Sequence, residues 1–177
     1  MKNVFLILIL GLVTFSCKKV SPLDYIEWIE NQDNGLRKEK TIGDYRFEIQ
    51  YCPKNYLQIK RGNYDSTSST EIIKNNSGLC FIFRIERLSD KDNHSLFQLI
   101  NEANFSLISE SDTIRSSMVL YENNFKISSI ESYSVYFDVY QIKNDIRFVY
   151  QDEVLTTGPV IFSFKIQDIK RIPEINN

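Results

Sequence analysis

Residues 45–51 alternate without a break. Tyr45, Phe47, Ile49 and Tyr51 are apolar or aromatic, and Arg46, Glu48 and Gln50 between them are polar. Successive side chains of a strand point to opposite faces, so this period of two predicts a sheet with one face on a core. A helix would scatter the same residues around its circumference. Pro53 ends the strand, because it has no N–H to give to a ladder. A second such stretch, Leu79–Arg87, puts Leu79, Phe81, Phe83 and Ile85 on one face and Cys80, Ile82, Arg84 and Glu86 on the other. Arg84 and Glu86 read as a solvated cross-strand pair.

Composition points the same way. The chain holds a single alanine, Ala103, against ten Tyr and twelve Phe, so strong helix formers are scarce and strand formers abundant. Further strands are expected at residues 105–109, 117–121, 126–130, 135–142, 146–150 and 160–166. Glu110, Ser111 and Asp112 form the turn of a hairpin between the first two, and Asn144-Asp145 and residues 156–159 separate later ones. Residues 95–101 fit either a helical turn or a strand, and residues 61–77 have loop composition. Strands at this spacing predict a mainly β fold, a β-sandwich of roughly seven to nine antiparallel strands. One short N-terminal helix precedes them, with Ser21 as N-cap, Pro22 in the first turn and Asp24 placed to favour the helix start. Tyr25, Ile26 and Ile29 would share its buried face, with Leu23 at the edge, and Gly35 would supply a left-handed stop.

The N-terminus carries an address. Met1, Lys2 and Asn3 lead into an apolar run over residues 4–13, about ten residues, which is the length of a signal-peptide core. A spanning helix needs roughly 20 apolar residues, and this run meets Thr14, Ser16, Cys17, Lys18 and Lys19 first. Thr14-Phe15-Ser16-Cys17 resembles a lipobox, in the looser form of Bacteroidetes lipoproteins, at which the cysteine thiol receives diacylglycerol and the leader is cut away. The expected organisation is a signal peptide over residues 1–16, a lipidated N-terminus and tether over 17–23, and one extracytoplasmic β-rich domain over 24–177. Each buried methylene of the lipid contributes about 0.8 kcal/mol, so two or three chains on Cys17 make a lasting anchor. Lys18 and Lys19 would add roughly 1 kcal/mol each against an anionic surface. Lys18 stands where an inner-membrane retention signal has Asp, and residues 17–24 lack a surface-export acidic cluster. The expected place is therefore the outer membrane, facing the periplasm, with the cell surface as the alternative.

Losing 16 of 177 residues leaves 161, enough for one domain. Its 20 basic and 23 acidic side chains give no electrostatic case for a nucleic-acid partner. With Cys17 acylated, Cys52 and Cys80 remain. An exported compartment would allow a bridge between them; equally, Cys80 opens an apolar strand and fits a small buried hydrophobe.

Catalytic motifs do not emerge. The chain lacks a G-x-S-x-G elbow, an H-E-x-x-H pair, a P-loop and a G-x-G-x-x-G fingerprint. His94 is the single histidine. Its neighbours Asp90, Asp92 and Asn93 read as a solvated turn rather than a calcium loop, since the Gly and terminal Glu of an EF-hand are missing. Asp152 and Glu153 are adjacent, so as strand residues they would face apart and could not share one bond. No catalytic residue, metal ligand or cofactor is expected. Binding is hinted at only by aromatic density, where Tyr136 and Tyr140 share a strand face with Asp138. That strand is either buried on both sides or presents tyrosines to a glycan, a small apolar ligand or a protein. Asp65-Ser66-Thr67 and Asp112-Thr113-Ile114 resemble O-glycosylation triplets of exported Bacteroidetes proteins and imply surface loops.

Residues 24–60, DYIEWIENQDNGLRKEKTIGDYRFEIQYCPKNYLQIK, carry a W-x-x-N-x-x-N-G-L segment followed by Y-x-F-x-x-Q-Y-x-P. This stretch, with the closing GPVIFSFKIQDIKRIP of residues 158–173, resembles small Bacteroidetes lipoproteins. The resemblance implies a lipoprotein with one extracytoplasmic domain and brings no activity. The expected function is that of a non-enzymatic envelope protein, held to a bilayer through Cys17 and acting as a binding or adaptor domain for an envelope protein partner.

Overall fold

A computed structural model of the chain describes residues 19–62, 78–89, 97, 99–122, 129–139, 141–153, 155 and 158–176. Among these residues nine strands form two antiparallel sheets. In chain order the strands are β1 (Arg37–Ile42), β2 (Tyr45–Cys52), β3 (Leu79–Arg87), β4 (Phe105–Ser109), β5 (Asp112–Arg115), β6 (Met118–Glu122), β7 (Ile130–Phe137), β8 (Ile146–Tyr150) and β9 (Val160–Phe164). The five-stranded sheet has the order β1-β2-β3-β7-β6 and the four-stranded sheet β5-β4-β8-β9.

The two alternating stretches of the sequence pair with each other. Phe47 lies opposite Ile85, Ile49 opposite Phe83 and Tyr51 opposite Phe81, so the apolar phases of β2 and β3 coincide on one face. Tyr133, Val135 and Phe137 of β7 extend that face, each fully buried. Phe105, Phe148, Tyr150, Phe162 and Phe164 meet it from the other sheet. Phe83 stands 4.7 Å from Tyr150 and 5.4 Å from Phe105, measured between ring centroids, and Phe81 stands 5.2 Å from Phe148. The layer between the sheets is thus largely aromatic, and the fold is the expected β-sandwich.

β1 is a strand that the sequence pattern conceals. Its RKEKTI run has no apolar alternation, yet it closes the edge of the five-stranded sheet. Lys38 and Lys40 share the core-facing phase with Ile49 and Phe47; their ammonium groups lie over the rings of Phe164 and Phe162, and Lys40 also donates to the carbonyl of Ile161. Inward-pointing lysines on an edge strand cover apolar rings with their stems and discourage pairing with another chain.

Several expectations need correcting. The hairpin turn at Glu110 and Ser111 joins β4 to β5, with Ser109 opposite Asp112, instead of joining residues 105–109 to 117–121. Glu110 takes φ 52° there. The chain then crosses at Ser116, whose hydroxyl donates to the Glu102 carbonyl at 2.8 Å, and β6 pairs with β7 in the opposite sheet. The Asp112-Thr113-Ile114 triplet accordingly lies on an exposed strand, not in a loop, whereas Asp65-Ser66-Thr67 falls outside the described residues. Residues 135–142 are not one strand: β7 ends at Phe137, where Val139 donates back to the Phe137 carbonyl and turns the backbone. Last, Val160–Phe164 is followed by a short helix where strand was expected to residue 166.

The N-terminal helix forms as its caps dictate. α1 (Pro22–Glu30) starts at Ser21, whose side chain accepts from the Asp24 N–H at 3.2 Å, and it buries Tyr25 and Ile29 while Leu23 stays exposed. It stops at Asn31, earlier than Gly35; a short 3-10 turn (Gln32–Asn34) intervenes, and Gly35 with φ 76° ends that turn. A side chain at Gly35 would also run into the Asp168 carboxylate. α2 (Tyr56–Lys60) and α3 (Ile166–Lys170) complete the helices among the described residues. None of them is long and apolar enough to cross a membrane.

The folded body begins before the expected boundary at Asp24. Val20 donates to the Glu174 carbonyl and accepts from the Asn176 N–H, both at 2.9 Å, in a parallel bridge with Ile175. Those bonds fix the chain three residues after Cys17.

Candidate functional site

The face of the five-stranded sheet turned away from the core carries the side chains with chemistry. Antiparallel register aligns them in rows across β2, β3, β7 and β6. One row is Cys52, Cys80, Tyr136 and Met118; the next is Gln50, Ile82, Ser134 and Leu120; the third is Glu48, Arg84, Ser132 and Glu122. The face therefore grades from thiol and phenol at one end to charge at the other.

The charged end is tied down by ions. Glu48 accepts from Arg37 of β1 at 2.6 Å and from Arg84 of β3, directly opposite it. Burial alone would raise its carboxyl, but the two guanidiniums hold it below the usual range. Arg46 pairs with Glu86 one row further out. Arg84 and Glu86 thus each pair across to β2, and Glu48 at 16 % exposure sits in a partly dry setting rather than a solvated one.

α1 and α2 cover the β2 side of this face. The buried Gln50 amide donates to the Ile29 carbonyl at 3.0 Å, which satisfies one of the orphan acceptors at the end of α1. Tyr56 of α2 donates to Glu30 of α1 at 2.7 Å, and Lys60 joins them at 2.5 Å from the same carboxylate oxygen. Burial would raise Glu30, yet Lys60 and Tyr56 hold it low.

The thiol end brings together three residues singled out from the sequence for separate reasons. Cys52 and Cys80 are register partners, 3 % and 8 % exposed, and Tyr136 is the register partner of Cys80 on the next strand. Both cysteines are free thiols here, and the Cys52 thiol donates to the Gln50 carbonyl at 3.5 Å. Cys52, and behind it Tyr136 and Arg61, push the Cys80 thiol down against its burial, whereas burial pushes Cys52 up. Tyr136 itself is raised to about 12, by burial first and Cys80 second. Its side chain is half-buried and packed against the core, so it is not a free platform. Cys17, Tyr140 and His94 lie outside the described residues. Among those described, no cluster of three or more His, Cys, Asp or Glu could hold a metal ion.

Sequence reasoning missed a buried carboxylate on the opposite face. Glu131, 1 % exposed, falls in the core-facing phase with Tyr133 and Val135, and it accepts from the Tyr121 hydroxyl at 2.6 Å. Tyr133 stacks 5.4 Å from Tyr121 and donates to the Phe97 carbonyl at 2.7 Å. The available signal was a charge in an apolar phase. Hydrogen bonds to charged groups contribute about 1.5–3 kcal/mol, so Tyr121→Phe is expected to destabilise by that amount in urea unfolding. An unchanged midpoint would show that Glu131 does not depend on this donor.

The chain matches no protein-family model, no curated protein and no solved structure.

Proposed function

We propose that the protein is a lipid-anchored envelope protein, of the kind its sequence resembles, whose β-sandwich is a non-enzymatic binding or adaptor domain held against the periplasmic face of the outer membrane. The observation that carries this reading is the clamp at Val20. With Cys17 acylated, Lys18 and Lys19 alone separate the lipid from a residue hydrogen-bonded on both sides to the C-terminal segment. Three residue steps reach at most about 11 Å, so the domain would lie against the headgroups instead of swinging on a tether. Leu23, at 77 % the most exposed of the large apolar side chains described, sits in the first turn of α1 beside that clamp. It would enter the interface while Lys18 and Lys19 meet the phosphates.

An adaptor is favoured over an enzyme because the outer-face ions and hydroxyls are engaged in holding strands and helices together. The reading as a glycan or small-ligand module through Tyr136 and Tyr140 is less well supported, since Tyr136 is half-buried and packed against the core.

Mass spectrometry of the N-terminal peptide from membranes is expected to show Cys17 as the first residue with acyl chains on it. Cys17→Ala should move the protein out of the membrane fraction, and crosslinking in intact cells should recover an envelope partner with the anchored form alone. An intact leader or an unmodified Cys17 sulfur refutes the anchor; an anchored protein that recovers no partner refutes the adaptor role.

A further inference from the structure

We propose that Cys52 and Cys80 are a disulfide-forming pair, a cross-strand bridge built into the outer face of the five-stranded sheet. The exported setting is taken from the preceding proposal, but the chemistry rests on geometry of its own. The two residues are direct partners in the β2–β3 register, at the last position of one strand and the second of the other. Directly opposed residues of antiparallel strands have Cα atoms about 4.5–5.5 Å apart, inside the roughly 4.4–6.8 Å span that a disulfide requires. Parity puts both side chains on the same face, side by side as direct register partners. Gly78 fixes the approach: a Cβ there would come within 2.5 Å of the Phe137 carbonyl oxygen, so only glycine lets β3 enter the sheet at this point.

The reaction needs a disulfide donor, either a small-molecule disulfide or an oxidised thiol oxidoreductase. The thiolate of one cysteine attacks a donor sulfur, forming a mixed disulfide and expelling one donor thiolate, which takes up the proton. The second cysteine, deprotonated in turn, displaces the other donor sulfur from that mixed disulfide. Two protein thiols and one donor disulfide become one protein disulfide and two donor thiols; two electrons and two protons pass to the donor. Burial of both sulfurs implies that exchange occurs while the strands are still pairing, and that the finished bridge is shielded. Closure would make residues 53–79, including α2, one covalent loop.

The test uses the full chain in detergent micelles, reduced and unfolded, then refolded in glutathione buffers of increasing oxidised fraction. Alkylation and peptide mapping then follow each cysteine separately. The expected product has Cys52 and Cys80 linked and protected from alkylation, resists reductant when folded, and is reduced in denaturant. Relative to the reduced protein, its folded-to-unfolded ratio should rise by roughly a few hundred-fold, as chain entropy predicts for a loop of this size. The Cys52→Ala/Cys80→Ala double variant separates the bridge from the packing of the sulfurs, because its stability should ignore the buffer. Thiols that both remain open to alkylation after refolding under strongly oxidising conditions overturn the proposal. A Cys17 peptide without lipid would count against the anchor and leave the bridge untouched.

Discussion

Phe83→Ala should lower the stability of the domain by about 3–5 kcal/mol, the cost of deleting a fully buried aromatic ring. Phe83 has ring neighbours that flank it within its own sheet and others that face it from the opposite sheet. Phe47 and Tyr133 lie at 6.1 and 6.5 Å, and Phe105, Phe148 and Tyr150 at 5.4, 5.7 and 4.7 Å. Its removal would leave a void lined by five rigid rings, which relax into a gap less readily than aliphatic chains. A domain of this size typically has only about 5–15 kcal/mol to lose, so the variant should sit near the edge of folding. Urea unfolding followed by circular dichroism gives the measurement. Phe83→Leu fills part of the void and should recover more than half of the loss. Leu120→Ala, on an exposed strand position, should change stability by less than about 0.5 kcal/mol. A Phe83→Ala protein as stable as the parent would mean that the two sheets do not depend on this aromatic layer.

The same layer explains what the sequence disclosed. β3 was legible to its exact ends, and β2 to within one residue, because a period of two in large apolar side chains has one physical solution. β4 and β8 were legible for the same reason. β1 was not: an edge strand contacts the core from one side and can afford lysines where a central strand cannot, so the alternation that identifies strands is absent. The β4–β5 hairpin was misjoined because local pattern specifies strands and turns but not which sheet a strand enters; that choice depends on the long-range fit of Val119 and Tyr121 against β7. At the candidate site, Cys52, Cys80 and Tyr136 were each visible as unusual residues, yet their meeting depends on two registers set by residues far apart in the chain. The carboxylate of Glu131 was readable in principle as a charge in the apolar phase of β7. A strand taken to begin at residue 135 leaves Glu131 outside it, whereas β7 begins at Ile130.

Raising the pH above 10 should unfold the protein cooperatively at about pH 11–12. Tyr25, Tyr51, Tyr56 and Tyr133 are all buried, at 3, 8, 1 and 0 % exposure. Burial is the leading cause that pushes each hydroxyl up: Tyr51 to about 12, and the other three further. In the unfolded chain a tyrosine titrates near pH 10. Between that value and the folded one, the unfolded state has lost the proton and the folded state keeps it. The unfolded state then binds fewer protons, so stability falls with rising pH, by about 1.4 kcal/mol per unit for each group. It is fully present below pH 10 and is lost on the way up to the folded values. Four such groups remove about 5 kcal/mol by pH 11, comparable with the whole stability of many domains. Tyrosinate absorbance and far-ultraviolet circular dichroism should therefore change together in one steep step. Tyr51→Phe removes one of the four groups, costs a hydroxyl with no hydrogen bond among the described residues, and should flatten the fall by about a quarter. If instead all the phenols ionise gradually near pH 10 while the fold persists, these hydroxyls reach water, and the aromatic interior of the domain is not sealed.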